Sequence, residues 1–359
     1  MNRRTLLKGL LATAATTVIR VPIGIAAGAP VTRFGVITDV HQDVMPDAVD
    51  RMRAFVAAMR EAKAEFVIQL GDFCMPKASN REFLAAWNAF PGPRYHVIGN
   101  HDIEAPFTRE QTAAFWGMPG LHYTFDAGAF AGIVLDANEP GGKATVYYPR
   151  YIGPDQLAWL ERTAMASAKP VIVFVHQPID YSEGLENGSE VRAVLARVEA
   201  ARPGGIQAVF AGHFHQDGVQ TFAGSLLPFV QVNSASYYWL GDAGQSLDYF
   251  PPDMHERYPG LRNVAVYKDP LWAIVDVDPA AGEMRITGRR TQWVGISALE
   301  RLKQNPVTEP RAYMIRPEIT SRRFNIPVGR AENPAAGLST TAWSAFRAQP
   351  GSVSRTGWA

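Results

Sequence analysis

Short apolar runs recur along the first two-thirds of the chain, and stretches of helical spacing separate several of them. Arg33 to Thr38 (Arg-Phe-Gly-Val-Ile-Thr) reads as a strand, and Val49, Met52, Phe55, Val56 and Met59 then recur at three- and four-residue intervals behind Pro46 and Asp47. That spacing predicts an amphipathic helix. Phe66 to Leu70 is a second strand, and Ser79 with Glu82 has the spacing of a capping box ahead of a helix containing Phe83 to Trp87. Tyr95 to Ile98 is a third strand, and Thr108 with Gln111 repeats the capping signal before Phe115 and Trp116. The unit is strand, helix, strand, repeated, which points to the α/β class.

The rhythm then changes. His122 to Phe125 and Gly132 to Leu135 are split by Asp126-Ala127-Gly128, the pattern of a hairpin. Pro154 suits the first turn of a helix reaching about Ala168, and Pro170 to Val175 is a strand running into His176. A helix from about Ser189 to Ala201 leads to a strand at Ile206 to Phe210. Runs at Phe229 to Val232, Val264 to Tyr267, Trp272 to Val277 and Met284 to Thr287, with a turn at Pro279 to Gly282, predict a second sheet packed on the first. Beyond about Val307 prolines and arginines are scattered without a period.

Composition narrows the picture. Hydrophobic residues make up 47% and charged residues 19% of 359, enough to bury a sizeable core in one large catalytic domain. Lysine plus arginine number 35 against 34 acidic residues, so no global field draws the chain to nucleic acid, and none is expected as a partner. The single cysteine, Cys74, rules out an intramolecular disulfide. The first 30 residues pair a basic head, Arg3-Arg4 and Lys8, with a mildly apolar stretch from Gly9 to Ile19 and small residues at Ala26 to Ala29. This has the form of a signal peptide, similar to those of the twin-arginine (Tat) export machinery, and predicts a periplasmic or extracellular protein. Arg20 interrupts the apolar run, so a stable membrane anchor is not expected. The expected organisation is a signal over residues 1–30, a catalytic domain over 31–306 and an extension of unassigned role over 307–359.

Chemistry sits where the strands end. Asp39 and His41 follow the first strand, Gly71-Asp72 the second, Gly99-Asn100-His101-Asp102 the third, His176 the strand after the hairpin, and Gly212-His213-Phe214-His215 the fifth. Each has a bland reading by itself. Gly-Asp closes many strands, Asn makes its own turn, and a histidine after apolar residues is commonly a hydrogen-bonded core group. Together they place imidazole, carboxylate and amide oxygen at five carboxyl ends, which in an open α/β arrangement face one crevice. That donor set, with no thiolate, suits Mn, Fe or Zn. Of eight histidines, His96, His122 and His255 stand outside these clusters and read as structural.

The ordered series Asp-x-His, Gly-Asp, Gly-Asn-His-Asp, lone His and Gly-His-x-His resembles the calcineurin-like metallophosphoesterases, over roughly Val31 to Thr291. The resemblance implies a two-sheet α/β/β/α sandwich. It implies that Asp39, His41 and His215 hold one metal ion, that Asn100, His176 and His213 hold a second, and that Asp72 bridges them. Met75 stands where some relatives place a metal-binding tyrosine, and Gln177-Pro178 follows the lone histidine. By the same resemblance, a water activated by two divalent or trivalent ions attacks a small-molecule phosphate ester. His101, oriented by Asp102, would protonate the leaving oxygen.

Two other classes compete: a binding protein that keeps the fold without chemistry, and a mononuclear iron oxygenase built on two histidines and a carboxylate. Metal stoichiometry separates them. Between phosphodiester and phosphomonoester the motifs do not choose. The aromatic residues Tyr237, Tyr238, Trp239, Tyr249 and Phe250 are candidates to line a substrate pocket, although ordinary packing is the commoner role of such a run.

Overall fold

The structure, a computed structural model, describes residues 25–26, 30–143, 148–181, 183–222, 225–241, 250–304, 314–326 and 328–329. Most of the expected signal, Tyr249 and most of the C-terminal extension lie outside them. In chain order the strands are β1 (Ile25–Ala26), β2 (Thr32–Ile37), β3 (Phe66–Gln69), β4 (Arg94–His96), β5 (Tyr123–Ala127), β6 (Phe130–Val134), β7 (Val171–Phe174) and β8 (Ile206–Ala211). They continue as β9 (Gly218–Gln220), β10 (Phe229–Gln231), β11 (Tyr237–Trp239), β12 (Val264–Val266), β13 (Ala273–Asp278), β14 (Glu283–Thr287), β15 (Arg322–Asn325) and β16 (Val328–Gly329). The helices are α1 (Ala48–Glu61), α2 (Arg81–Asn88), α3 (Arg109–Trp116), α4 (Pro154–Ala166), α5 (Gly188–Ala201), α6 (Pro252–Arg257) and α7 (Ala298–Gln304).

Two six-stranded sheets carry the domain, one in the order β5-β6-β7-β8-β10-β9 and the other β15-β14-β13-β2-β3-β4. Within them β6, β7, β8 and β10 run parallel, as do β2, β3 and β4. Successive side chains of a strand point to opposite faces, and each central strand divides its residues accordingly. Phe34, Phe66, Ile68, Ile172, Phe174, Ala208 and Phe210 enter one core between the sheets. Their neighbours Val67 and Ile37 join Met52, Phe55, Phe83 and Trp87 of α1 and α2, whereas Val171, Val173 and Val209 join Leu160, Leu195 and Val198 of α4 and α5. Helices therefore cover both outer faces, giving the expected α/β/β/α sandwich. Phe34 stitches the layers: its ring stacks on Phe66 at 4.7 Å and meets Phe174 and Phe210 edge-on at 6.1 and 6.3 Å.

Local expectations fared unevenly. Thr108 and Gln111 form the full capping box of α3. Ser79 does not cap α2: Ala78–Asn80 form a 3₁₀ turn, and Asn80 precedes the helix without a side-chain cap. Its amide is engaged elsewhere, donating to the Asp43 carboxylate at 3.0 Å and to the Met75 carbonyl at 3.0 Å. The later runs do not form a sheet of their own as expected: β10 joins β8, β12 pairs with β11, and β13 and β14 extend the sheet of β2, β3 and β4. That sheet also reaches into a segment that sequence alone left unassigned, since Arg322–Asn325 pairs antiparallel with β14 at its edge. Among the described residues no helix is long and apolar enough to cross a membrane.

Candidate metal centre

The carboxyl ends of β2, β3, β4, β7 and β8 open on one region, and the backbone ladder continues past the strands to hold the loops there. Asp39 N–H donates to Gly71 O at 3.0 Å, His41 N–H to Asp72 O at 2.9 Å and Gly212 N–H to His176 O at 3.1 Å. These bonds tie the first motif to the second and the fourth to the fifth. Six non-glycine residues among those described have positive φ, and five of them are Asp39 (51°), His41 (52°), Asp72 (51°), His213 (76°) and His215 (53°). The left-handed region costs an ordinary residue on the order of 1 kcal/mol or more, and Asp and His tolerate it better than most. A strand that must turn its next side chain abruptly into a shared crevice uses this conformation, so the strain marks the ligand loops.

Two glycines permit the crowding. A Cβ on Gly99 would stand 2.3 Å from Asp72 N, and one on Gly212 would stand 2.2 Å from Thr38 Oγ1 and 2.6 Å from Asp39 Oδ2. Any side chain at either position would push Asp72 or Asp39 out of place.

The side chains meet in two groups, Asp39, His41 and His215 in one, Asp72, His176 and His213 in the other, with the potential ligand atoms of each group within 4.8 Å of one another. His215 Nε2 is 3.2 Å from Asp39 Oδ1 and 3.1 Å from His41 Nε2, and His176 Nε2 is 3.2 Å from Asp72 Oδ2. Asp72 Oδ2 is also 3.7 Å from His41 Nε2, so this one carboxylate touches both groups. Asn100 is buried, and its Oδ1 has no hydrogen-bond partner among the described residues. All seven residues singled out as ligands from the sequence are thus buried or half-buried at this centre.

The hydrogen-bonding pattern fits cations. His215 Nδ1 lies 2.8 Å from Tyr237 O and His176 Nδ1 2.8 Å from Leu70 O. A carbonyl only accepts, so each Nδ1 carries a proton and Nε2 is the nitrogen left to face the carboxylates. Burial lowers the His176 pKa, but the Asp72 charge outweighs it and holds the ring at about 9, so without a cation Nε2–H donates to Asp72 and a bound cation would displace that proton. Burial holds His41 well below the usual histidine range and His213 at about 3, leaving both neutral and able to coordinate. Burial pushes Asp39 and Asp72 up, but the surrounding imidazoles outweigh it and hold both carboxyls below their ordinary range. A buried Asn100 Oδ1 without a partner among the described residues, one residue from His101 whose N–H donates to Asp72, is a donor atom a cation would satisfy.

His101 stands beside His41, and its side-chain partner is not the Asp102 expected from the sequence. Its ring lies 5.1 Å from that of His41, and its backbone N–H donates to Asp72 Oδ1 at 2.9 Å. Its Nδ1 contacts Glu104 Oε1. Burial lowers its pKa, but the Asp72 charge and the Glu104 contact outweigh that and hold the ring at about 9. Asp102 does not orient it. The Asp102 carboxylate turns inward and accepts backbone N–H bonds from Asp72 at 2.8 Å, Phe73 at 2.7 Å and Gly99 at 2.8 Å, pinning the loop that carries Asp72. A tripeptide cannot reveal this choice, although a glutamate three residues after a histidine was a legible signal for Glu104.

Tyr148, which the sequence reading missed, places its Oη 3.1 Å from His213 Nε2. Of the candidate pocket aromatics, Tyr237 is buried with its ring centroid 5.0 Å from that of His41 and 4.8 Å from that of His215, whereas Trp239 is 42% exposed and 6.3 Å from the His101 ring. Tyr238 packs with Leu240, Ala265 and Ile315, and Phe250 packs beside His255, away from the centre.

This fold and this constellation define a class, and a family model for calcineurin-like phosphoesterases matches residues 32–217; the chain belongs to that family. Curated relatives include a manganese-dependent ADP-ribose/CDP-alcohol diphosphatase of Oryza sativa subsp. japonica, 25% identical over 53% of this chain and 79% of that protein. Its counterpart in Arabidopsis thaliana is 26% identical over 55% of this chain and 84% of its own length. A dimetal phosphatase from Danio rerio shares the fold with a TM-score of 0.52 at 18% identity, covering 74% of this chain and 99% of that one.

Proposed function

We propose that this protein hydrolyses phosphate esters at a centre of two divalent or trivalent cations, one held by Asp39, His41 and His215, the other by Asn100, His176 and His213, with Asp72 shared. The observation that carries the reading is the pair of three-residue groups joined through one carboxylate. Cations held by these residues would supply a water of lowered pKa and neutralise charge growing on phosphoryl oxygens. His101, partly exposed beside His41 and steadied by Glu104, gives a proton to the departing oxygen. Asp102 keeps Asp72 in place through the backbone and touches no reacting atom. Manganese is the first ion to test, because the plant relatives are named for it.

The substrate class proposed is a small organic phosphodiester, phosphomonoester or diphosphate-linked nucleotide. The diphosphate member is suggested by the activity for which the plant relatives are named. Trp239, exposed beside His101, offers a flat surface for an aromatic moiety of such a molecule. Export by the twin-arginine route belongs to the same proposal and rests on Arg3-Arg4 and the apolar stretch behind them; cell fractionation of the full chain against an R3K/R4K variant tests it.

The test of activity is a panel of p-nitrophenyl phosphate, bis-p-nitrophenyl phosphate, ADP-ribose and a CDP-alcohol, each with Mn, Fe or Zn. Cleavage of at least one, abolished by a chelator and restored by the ion, is the expected result. Metal-replete protein that leaves all of them intact refutes the proposal.

A further inference from the structure

Tyr148 meets the centre at His213, whereas His101 meets it at His41. Its Oη is 3.1 Å from His213 Nε2, and the two rings meet edge-on with centroids 5.6 Å apart. The residue is only half-buried, unlike the imidazole ligands His41, His176 and His215.

What happens to this contact when a cation is bound follows from the valence of imidazole. A neutral ring has one lone pair and one N–H, and coordination consumes the lone pair. If the cation takes Nε2, that nitrogen can no longer accept from the phenol. If it takes Nδ1, Nε2 carries the proton and donates to Oη. On either branch the Tyr148 O–H loses His213 as an acceptor and keeps a free proton at the edge of the centre. A phosphoryl group held over the two sites presents anionic oxygens there, and a neutral phenol is a suitable donor to one of them.

Resting on the function proposed above, we infer that Tyr148 is a substrate-binding residue whose hydroxyl donates to a non-bridging phosphoryl oxygen at the His213 edge of the centre. Removing that one donor while keeping the ring weakens binding of a phosphate anion about tenfold or more, measured at saturating Mn2+ so that any weakening of the His213 contact is made good by excess ion.

The experiment compares full-length wild type, Y148F and Y148Q, each loaded with Mn2+, by calorimetric titration with inorganic orthophosphate, by bound-manganese content and by hydrolysis of bis-p-nitrophenyl phosphate. In Y148F the expected result is unchanged manganese content, orthophosphate affinity about tenfold lower or more, and a matching fall in kcat/KM that excess Mn2+ does not repair. Y148Q, which restores a donor, recovers part of the affinity. Wild-type affinity in Y148F overturns the inference, and so does recovery on adding Mn2+, which would leave the tyrosine a mere support for His213. If wild type hydrolyses no ester, the function proposed above fails, and the orthophosphate titration still decides the role of Tyr148. Wild type that binds Mn2+ but no orthophosphate overturns the inference about Tyr148, while the ester panel alone decides the function proposed above.

Discussion

Replacing Asp102 by asparagine separates two roles for a residue that stands next to the proposed acid. Its Oδ2 accepts from Asp72 N–H and Gly99 N–H, and its Oδ1 from Phe73 N–H. Asparagine retains one acceptor oxygen, which can keep the first two donors, and turns an NH2 toward the third. The Phe73 N–H is then buried without a partner at a cost of about 1–3 kcal/mol, and weakening of the other two bonds adds about 1 kcal/mol. The sum, about 2–4 kcal/mol, corresponds to a fall in Tm of about 3–7 °C for a domain of this size. Because the Asp72 backbone is one of the anchored groups, the same variant binds Mn2+ more weakly. Thermal unfolding of chelator-treated protein reads the first effect, and calorimetric titration with Mn2+ reads the second. An unchanged Tm and unchanged manganese binding, with turnover alone reduced, would refute this reasoning and return Asp102 to the service of His101.

Three further outcomes are expected. H101A keeps both cations but lowers kcat about 100-fold or more on esters with poor leaving groups, and E104Q lowers it less; loss of metal from H101A would make the histidine a ligand instead. His96 is buried between Gln69 and Trp87, and burial holds it at about 3. The fold therefore keeps it neutral while the unfolded chain protonates it below about 6.5, so its contribution is intact above that pH and is lost as the pH falls toward 3. By pH 5 the loss is about 2 kcal/mol, and urea unfolding at pH 7 and pH 5 should show a smaller difference in H96Q than in wild type. The Tyr237 hydroxyl is buried and has no hydrogen-bond partner among the described residues, so Y237F should raise the Tm of chelator-treated protein. A lowered Tm would show that the hydroxyl has a partner.

Much of this arrangement was legible because alternation and spacing carry it. Phe34, Phe66, Phe174 and Phe210 fall on the face that alternation assigns, and the ligand residues follow strands whose apolar runs are unmistakable. The polar edge strand Arg322–Asn325 was not legible, because it is held by backbone pairing to β14 and has no apolar run of its own. The partner of His101 was also hidden: adjacency in sequence favoured Asp102, but the left-handed turn at Asp72 leaves three backbone N–H groups converging on that carboxylate. Tyr148 was invisible for a related reason, since it lies 65 residues before His213 and meets it only because the segments that follow β6 and β8 of one sheet converge. Ser79 looked like a cap by spacing alone, whereas Asp43, distant in sequence, claims the neighbouring Asn80.

Everything functional depends on Asp39, His41 and His215 and Asp72, Asn100, His176 and His213 acting as two joined cation sites. The most direct measurement is elemental analysis of the full chain, reconstituted with Mn2+ and freed of unbound ion, alongside H41A and H176A treated identically. Two manganese ions per wild-type chain, with a lower content in each variant, is the result predicted here. One ion or none in correctly folded wild type, or two ions in all three proteins, would contradict it.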